Sequence, residues 1–90
     1  MASFKYTSAF KKDFKRIENN SVALTRLEEA LHALEKEEPL PFSFRDHKLV
    51  GRLARCRECH LRPDVLLLYE IVGDTVVLHR LGNHSELLKM

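Results

Sequence analysis

The sequence contains no apolar run that approaches the roughly 20 residues a helix needs to cross a membrane. Its first residues, Met1–Lys5, also lack the apolar stretch of a secretory signal peptide. We therefore expect a cytoplasmic protein with no membrane partner. With 90 residues, of which 44% are apolar and 31% charged, the composition is that of a single globular domain over residues 1–90.

A strong charge of one sign is also missing, since the net charge is only +2. The cations are nevertheless unevenly placed, because residues 45–62 contain six lysines and arginines but only two acidic residues. This local excess favours a phosphate-bearing partner or an acidic protein segment. From charge alone, a basic face that contacts only solvent is an equally good interpretation.

Cysteine is scarce, and both cysteines lie in the segment Cys56–His60, which matches the Cys-x-x-Cys-His pattern of haem attachment. The segment falls in a predicted strand, where residues three apart point to opposite faces, so the two thiols do not easily meet at one ligand. No second cysteine pair completes a zinc site, and a thioredoxin-like pair would begin a helix. We expect unpaired structural thiols, no metal and no other cofactor.

Two amphipathic helices are predicted in the first half of the chain, after a short alternating strand at Ser3–Tyr6. The first helix is capped by Thr7 or Ser8, and its apolar positions recur at helical spacing. The second helix begins at Asn20 or Ser21 and continues to about Lys36, with leucines along one seam. Only two residues separate the helices, which predicts an antiparallel helical hairpin.

Three strands are predicted in the second half of the chain, over Arg52–Leu61, Pro63–Ile71 and Val76–His84. The middle strand carries the chain's one continuous apolar block, as expected for a central strand covered on both faces. Gly73-Asp74 matches a two-residue hairpin turn. The order β-α-α-β-β-β predicts an α+β fold, with the helical hairpin packed on an antiparallel sheet.

Ionisable side chains gather at one end of this predicted sheet. Counting back from the hairpin turn places Arg80 near Leu67 and Asn83 near Asp64. Histidines flanking a phosphodiester can take the proton of a ribose 2′-hydroxyl and protonate the leaving 5′-oxygen. An arginine can stabilise the phosphate, and Asp64 can orient a histidine or act as the base. The predicted convergence comprises His60, Asp64, Arg80 and His84, whereas His79 should point to the other face and pack.

Three ordered segments, 45–49, 57–69 and 80–84, resemble the YafQ-like branch of the RelE/ParE superfamily of bacterial type II toxins. The resemblance covers essentially the whole chain. It implies a microbial-RNase-like fold and cleavage of mRNA, which in several members takes place on the ribosome. It also implies neutralisation by a cognate antitoxin, with operator DNA bound only through that antitoxin. The family's catalytic residues fall on His47, His60, Asp64, Arg80 and His84, with His47 placed by the resemblance alone.

The RNA-binding positions are expected at Lys48, Arg52 and Leu88. Some relatives carry a tryptophan where this chain has Val65 and an aromatic residue where it has Leu88, so base preference is expected to differ, because aromatic rings stack on bases. A non-enzymatic toxin of the ParE kind, which inhibits gyrase by binding, is the alternative. The three histidines at positions 47, 60 and 84 favour the endoribonuclease, because a binding protein has no chemical need for them.

Overall fold

The computed structural model describes residues 1–87 and has a five-stranded sheet with two long helices on one face. The strands are β1 (Ser3–Tyr6), β2 (His47–Lys48), β3 (Arg57–Arg62), β4 (Val65–Val72) and β5 (Thr75–Gly82), and the helices are α1 (Ser8–Ile17), α2 (Ser21–Glu35) and α3 (His84–Leu87). The sheet order is β1-β5-β4-β3-β2. Only the β1–β5 pair is parallel. The predicted α+β fold is confirmed. Among the described residues, no helix is long and apolar enough to cross a membrane.

Strand β4 is the buried centre of the fold. Leu67 faces the side of the sheet that carries α1 and α2, while Leu66 and Leu68 face the opposite side, and all three are fully buried. On that opposite side, here called the open face, Leu66 and Leu68 pack with Cys56 and Leu87. The prediction of a central strand covered on both faces is therefore confirmed.

The two long helices begin at polar caps that the sequence predicted. The Thr7 hydroxyl accepts a hydrogen bond from the Phe10 amide at 2.9 Å, and the Asn20 side chain accepts one from the Ala23 amide at 3.0 Å. These side chains satisfy amides that have no partner within the first turn of a helix. Helix α2 ends at Glu35, one residue before the predicted end.

The β4–β5 hairpin has the predicted two-residue turn, with Val72 opposite Thr75. The register changes further along, because Tyr69 pairs with Leu78 but Leu68 pairs with Arg80. Arg80 is therefore near Leu67, as predicted, but the register count behind that prediction was wrong by one position. The extra residue is His79, which forms a β-bulge, and the bulge changes the direction in which its side chain points. His79 and Arg80 consequently share the open face, and the prediction that they point to opposite faces was wrong.

The segment before β3 differs from the predicted strand that started at Arg52. Residues Gly51–Leu53 form a single 3₁₀ turn, and β3 begins only at Arg57. Strand β2, which lies within a predicted loop, pairs with β3 and places His47 opposite Glu58. A two-residue strand has no periodicity of its own, so only its tertiary partner defines it.

Helix α1 protects the part of β5 that β1 does not reach. Strand β1 pairs with β5 only as far as Leu78. Beyond this point the Thr7 hydroxyl donates to the His79 carbonyl at 2.7 Å, and a carboxylate oxygen of Asp13 accepts the Leu81 amide at 2.9 Å. Asp13 also accepts from the Arg80 guanidinium at 2.7 Å and is only 2% exposed. Side chains of α1 thus satisfy an otherwise unpaired sheet edge.

Replacing Asp13 by asparagine is expected to lower the free energy of unfolding by about 2–4 kcal/mol, because it leaves the Arg80 guanidinium without its buried anion. Thermal denaturation followed by circular dichroism measures the loss. The matched control is Asp74→Asn, which makes the same change at an exposed turn aspartate. Equal melting temperatures for the two variants would show that the buried contacts of Asp13 contribute nothing.

Candidate active site

A buried carboxylate on the open face is surrounded by three histidines. Glu58 of β3 is 2% exposed. Its Oε1 atom lies 3.2 Å from His84 Nε2, 3.4 Å from His47 Nε2 and 3.8 Å from His60 Nε2. Three elements that are distant in sequence (β2, β3 and the start of α3) therefore meet at one oxygen atom.

His47 is held in place by the residues on either side of it. Its Nδ1 lies 2.8 Å from the Arg45 carbonyl, so Nδ1 carries a proton and donates. Its Nε2 faces the Glu58 carboxylate at 3.4 Å. The preceding residue, Asp46, accepts hydrogen bonds from the Arg57 guanidinium, at 2.8 Å, and from the Tyr69 hydroxyl. The Asp46 contacts fix the loop that carries His47 to the middle of the sheet.

His60 is the inner histidine and lies between the other two. Its ring centroid is 6.0 Å from that of His47 and 5.9 Å from that of His84. Its side chain is 13% exposed, against 50% for His47 and 54% for His84. Burial lowers the pKa of His60, the positive charge of Arg45 lowers it further, and Glu58 opposes both effects. The environment of His60 therefore favours its neutral form, and the two outer rings are the ones open to a substrate.

His84 is the first residue of α3, and a reciprocal cap fixes this short helix. The Asn83 side chain accepts the Glu86 amide at 2.9 Å, and Glu86 accepts the Asn83 amide at 3.2 Å. Arg16 of α1 holds the other oxygen of Glu86 at 2.6 Å. A Cβ atom at Gly82 would lie 2.9 Å from the Glu86 carboxylate, so a larger residue there would displace the end of that side chain. The turn that presents His84 is thus rigidly built although the ring itself is exposed.

Two polar atoms of this cluster have no hydrogen-bond partner within residues 1–87. They are Glu58 Oε2 and His60 Nδ1, and both are buried. An unsatisfied buried carboxylate oxygen is costly, and such groups in native proteins often mark a functional site. The cluster is therefore not arranged for stability.

A cleft of about 340 Å³ opens beside the cluster. Cations contribute much of its polar lining, and the residues are Arg26, Ser43, Arg45, His60, Leu61, Arg62, Pro63 and His84. The Arg26 guanidinium is itself committed, because it donates to the Leu61 carbonyl at 3.0 Å and stacks over the Phe44 ring. The cleft suits an anionic group that reaches the exposed edge of the imidazoles.

The structure separates the predicted site residues into two groups. His47, His60 and His84 come together around Glu58. Asp64 lies at the same end of the sheet, but its side chain is 81% exposed and pairs with Arg62 at 3.9 Å. Arg80 is bound by Asp13, which raises its pKa. Lys48 and Arg52 are exposed, and Leu88 lies outside the described residues.

Glu58 is the residue that sequence analysis missed. Its position within the Cys-x-x-Cys segment drew attention to the thiols instead. The period of two along a strand could have found it, because Glu58 and His60 must share one face. The sequence analysis expected Asp64 to orient a histidine. In the structure, the carboxylate beside the histidines is that of Glu58 instead.

Among the described residues, two groups of three side chains each bring potential metal ligands together, although the sequence predicted no metal site. One comprises Glu58, His60 and His84, and the other comprises Cys56, Glu70 and His79. In each group the ligand atoms lie within 4.8 Å of one another. Cys56 and Cys59 lie on opposite faces of the sheet, as predicted, so no single ligand bridges both thiols.

Comparison with known families places this small α+β sheet, with its clustered histidines, in the class of bacterial type II toxins. The sequence model of the family described as "Bacterial toxin of type II toxin-antitoxin system, YafQ" matches residues 2–89. The chain belongs to this YafQ toxin family, which confirms the resemblance predicted from its motifs.

Individual relatives agree with this assignment. The mRNA interferase toxin YafQ of Escherichia coli K12 is 28% identical over 83 residues, which cover 91% of this chain and 90% of the relative. The copper-bound L66S mutant toxin from Helicobacter pylori has a TM-score of 0.90 at 41% identity, with 97% of this chain and 99% of that chain covered. The E. coli DinJ–YafQ complex has a TM-score of 0.84 at 26% identity, with 97% and 98% covered.

Proposed function

We propose that this chain is an endoribonuclease toxin that cleaves mRNA by acid–base catalysis. The observation that carries the proposal is the buried Glu58 carboxylate beneath His47, His60 and His84. Membership of the YafQ family supports it, as does the name of the E. coli relative, an mRNA interferase toxin. No comparison favours the gyrase-binding alternative.

The two exposed histidines are the proton-transfer groups in this proposal. One imidazole takes the proton of the ribose 2′-hydroxyl as the 2′-oxygen attacks phosphorus, and the other protonates the leaving 5′-oxygen. The new bond joins O2′ to phosphorus and the broken bond joins phosphorus to O5′, so the products are a 2′,3′-cyclic phosphate and a 5′-hydroxyl. Glu58 acts as the positioning anion between His47 and His84, and the His60 ring packs between the other two.

Cations around the cluster are proposed to bind the RNA phosphates. Arg45 and Arg62 line the cleft beside His60 and His84, and guanidinium groups match phosphate geometry. Lys48 and Arg52 would extend the path along the exposed side of β2 and the 3₁₀ turn, and contact of Leu88 with a base stays a prediction. Catalytic roles for Asp64 and Arg80 also stay predictions. The Arg80 guanidinium is held rigidly by Asp13, which would suit it to binding a phosphate.

The proposed protein partner is a cognate antitoxin. The E. coli relative is seen in complex with the antitoxin DinJ, and this chain has the same fold over nearly its whole length. An acidic or amphipathic antitoxin segment that orders on binding would neutralise the toxin by covering the basic residues or displacing the histidines. Action on the ribosome, contact with operator DNA through the antitoxin and a cytoplasmic location stay predictions.

Mapping the ends of cleaved RNA tests the proposal. Purified protein is incubated with naked RNA and, separately, with translating ribosomes, and we expect 2′,3′-cyclic phosphate (or 3′-phosphate) and 5′-hydroxyl ends in at least one reaction. An RNA with a single 2′-deoxy sugar at the cut site should resist cleavage there, because the attacking oxygen is gone. Products with 3′-hydroxyl and 5′-phosphate ends would instead indicate an activated water and contradict the assigned roles.

A further inference from the structure

A second cluster of ionisable side chains lies on the open face and has no part in the proposed cleavage. It consists of Cys56, Glu70 and His79. The His79 Nε2 and Glu70 Oε1 atoms are 2.9 Å apart, and the three ligand atoms lie within 4.8 Å of one another. Cys56 is 8% exposed, and its thiol is free.

Three neighbouring strands build this cluster from positions far apart in sequence. Cys56 directly precedes β3, Glu70 lies on β4 and His79 on β5. Arg57 pairs with Tyr69, so the next pair along these strands sets Cys56 beside Glu70. His79 is the extra residue of the β5 bulge, and the bulge carries its ring to the Glu70 carboxylate. A bulge that re-aims a side chain is typical of functional positions.

We propose that Cys56, Glu70 and His79 form a binding site for a divalent transition-metal ion of the zinc type. A thiolate, an imidazole and a carboxylate are the ligand types that zinc prefers. In a tetrahedral zinc site such atoms lie roughly 3.3–3.8 Å apart, so small side-chain rotations bring the present separations into range. A water molecule takes the fourth position, supplied from an adjoining cleft of about 300 Å³. The cleft is lined by Cys56, Glu70 and His79 and also by three arginines, Arg52, Arg55 and Arg80.

Binding changes the protonation of two ligands. The Cys56 thiol loses its proton to solvent, and His79 keeps one proton on Nδ1 while Nε2 turns from Glu70 to the metal. Burial raises the pKa of the Cys56 thiol and the Glu70 charge raises it further, whereas Arg55 lowers it. A bound dication offsets the first two effects. Without metal the three side chains together carry a charge of about −1. With a thiolate and a bound dication, the charge of the whole site is about 0.

The site is chemically distinct from the histidine cluster around Glu58, because that cluster contains no sulfur. Cobalt(II) therefore discriminates between them, since only a thiolate ligand gives a sulfur-to-cobalt charge-transfer band in the near ultraviolet. The chain's other thiol, Cys59, is fully buried on the helix side of the sheet and provides a matched control.

Titration of the purified full chain with CoCl₂ under reducing conditions tests the proposal. We expect the charge-transfer band in wild type and in Cys59→Ala, and its loss in Cys56→Ser. His79→Gln and Glu70→Gln should each weaken binding at least about tenfold, the usual effect of disturbing a metal site. These two variants keep the test decisive if Cys56→Ser does not fold, because their side chains are less buried than Cys56.

Zinc binding should also raise the melting temperature, by roughly 10 °C or more when ZnCl₂ is at a hundredfold excess over Kd. The rise should fall to about half or less in His79→Gln and persist in His84→Ala, which disables the other cluster. The inference is overturned if wild type shows no cobalt band, if Cys56→Ser retains it, or if only His84→Ala abolishes the thermal shift. No RNA is needed, so this test can fail without affecting the proposed cleavage.

Discussion

Replacing Glu58 by glutamine is expected to slow RNA cleavage by about 10²–10⁴-fold, the usual contribution of a positioned proton-transfer arrangement. Glutamine has nearly the same shape as glutamate but no charge, so the rings around it keep their packing and lose their shared anion. The optimum of the pH–rate profile should also move to lower pH, because a neutral amide no longer favours a protonated imidazole. Single-turnover rates across a pH series measure both effects.

The same substitution is expected to leave the free energy of unfolding unchanged or higher. Glu58 Oε2 is buried without a hydrogen-bond partner among residues 1–87, and removing such a charge relieves a desolvation cost. This is the opposite of Asp13, the other buried acid, which contacts Arg80 and the Leu81 amide and whose loss should be destabilising. The contrast separates an acid kept for chemistry from an acid kept for folding.

Glu29→Gln, an exposed change on α2, is the activity control for Glu58→Gln. Wild-type cleavage by a folded Glu58→Gln variant would remove Glu58 from the mechanism. A rate loss with no displacement of the pH profile would assign it a purely structural role.

Local signals predicted much of the fold correctly. Thr7 and Asn20 act as caps, Gly73-Asp74 forms the hairpin turn, and the apolar block after Val65 is the central strand. Each of these features depends on a few neighbouring residues whose conformational preferences agree with the fold. The helical hairpin followed from the short break between two apolar stripes for the same reason.

The features that were missed depend on contacts between distant segments. Strand β2 exists only because β3 pairs with it, and the bulge at His79 has no local signal such as a glycine. Asp13 is a charged residue on the side of α1 that carries the apolar positions, and it is buried there because the unpaired edge of β5 needs an acceptor. No periodicity in the sequence reports such requirements.

The histidine cluster was predicted in part for the wrong reason. The hairpin count placed His84 beside Asp64, but the bulge shifts that register by one residue. His84 nevertheless reaches the cluster, because the Asn83–Glu86 cap turns the chain back over β3. Its anchor there is Glu58, at 3.2 Å, rather than Asp64.

Replacing His84 by alanine is expected to reduce cleavage by about 10²–10⁴-fold with little change in stability. The ring is 54% exposed, and within the described residues its imidazole hydrogen-bonds to Glu58 and contacts the His60 ring. Its removal therefore disturbs little buried packing. The matched controls are His32→Ala, which removes an exposed histidine on α2, and His47→Ala, which removes the other exposed ring of the cluster.

Because the His84 ring is open to solvent, free imidazole should enter the vacated space and restore part of the lost rate in His84→Ala. A substrate with sulfur in place of the leaving 5′-oxygen then assigns the role. A thiol has a pKa of about 8.5 and leaves as a thiolate without a proton, so such a substrate needs no general acid. If His84 is the acid, the penalty of His84→Ala should largely disappear with this substrate, while that of His47→Ala persists. The reverse pattern would exchange the two roles, and equal penalties on both substrates for both variants would place the proton transfers on other groups.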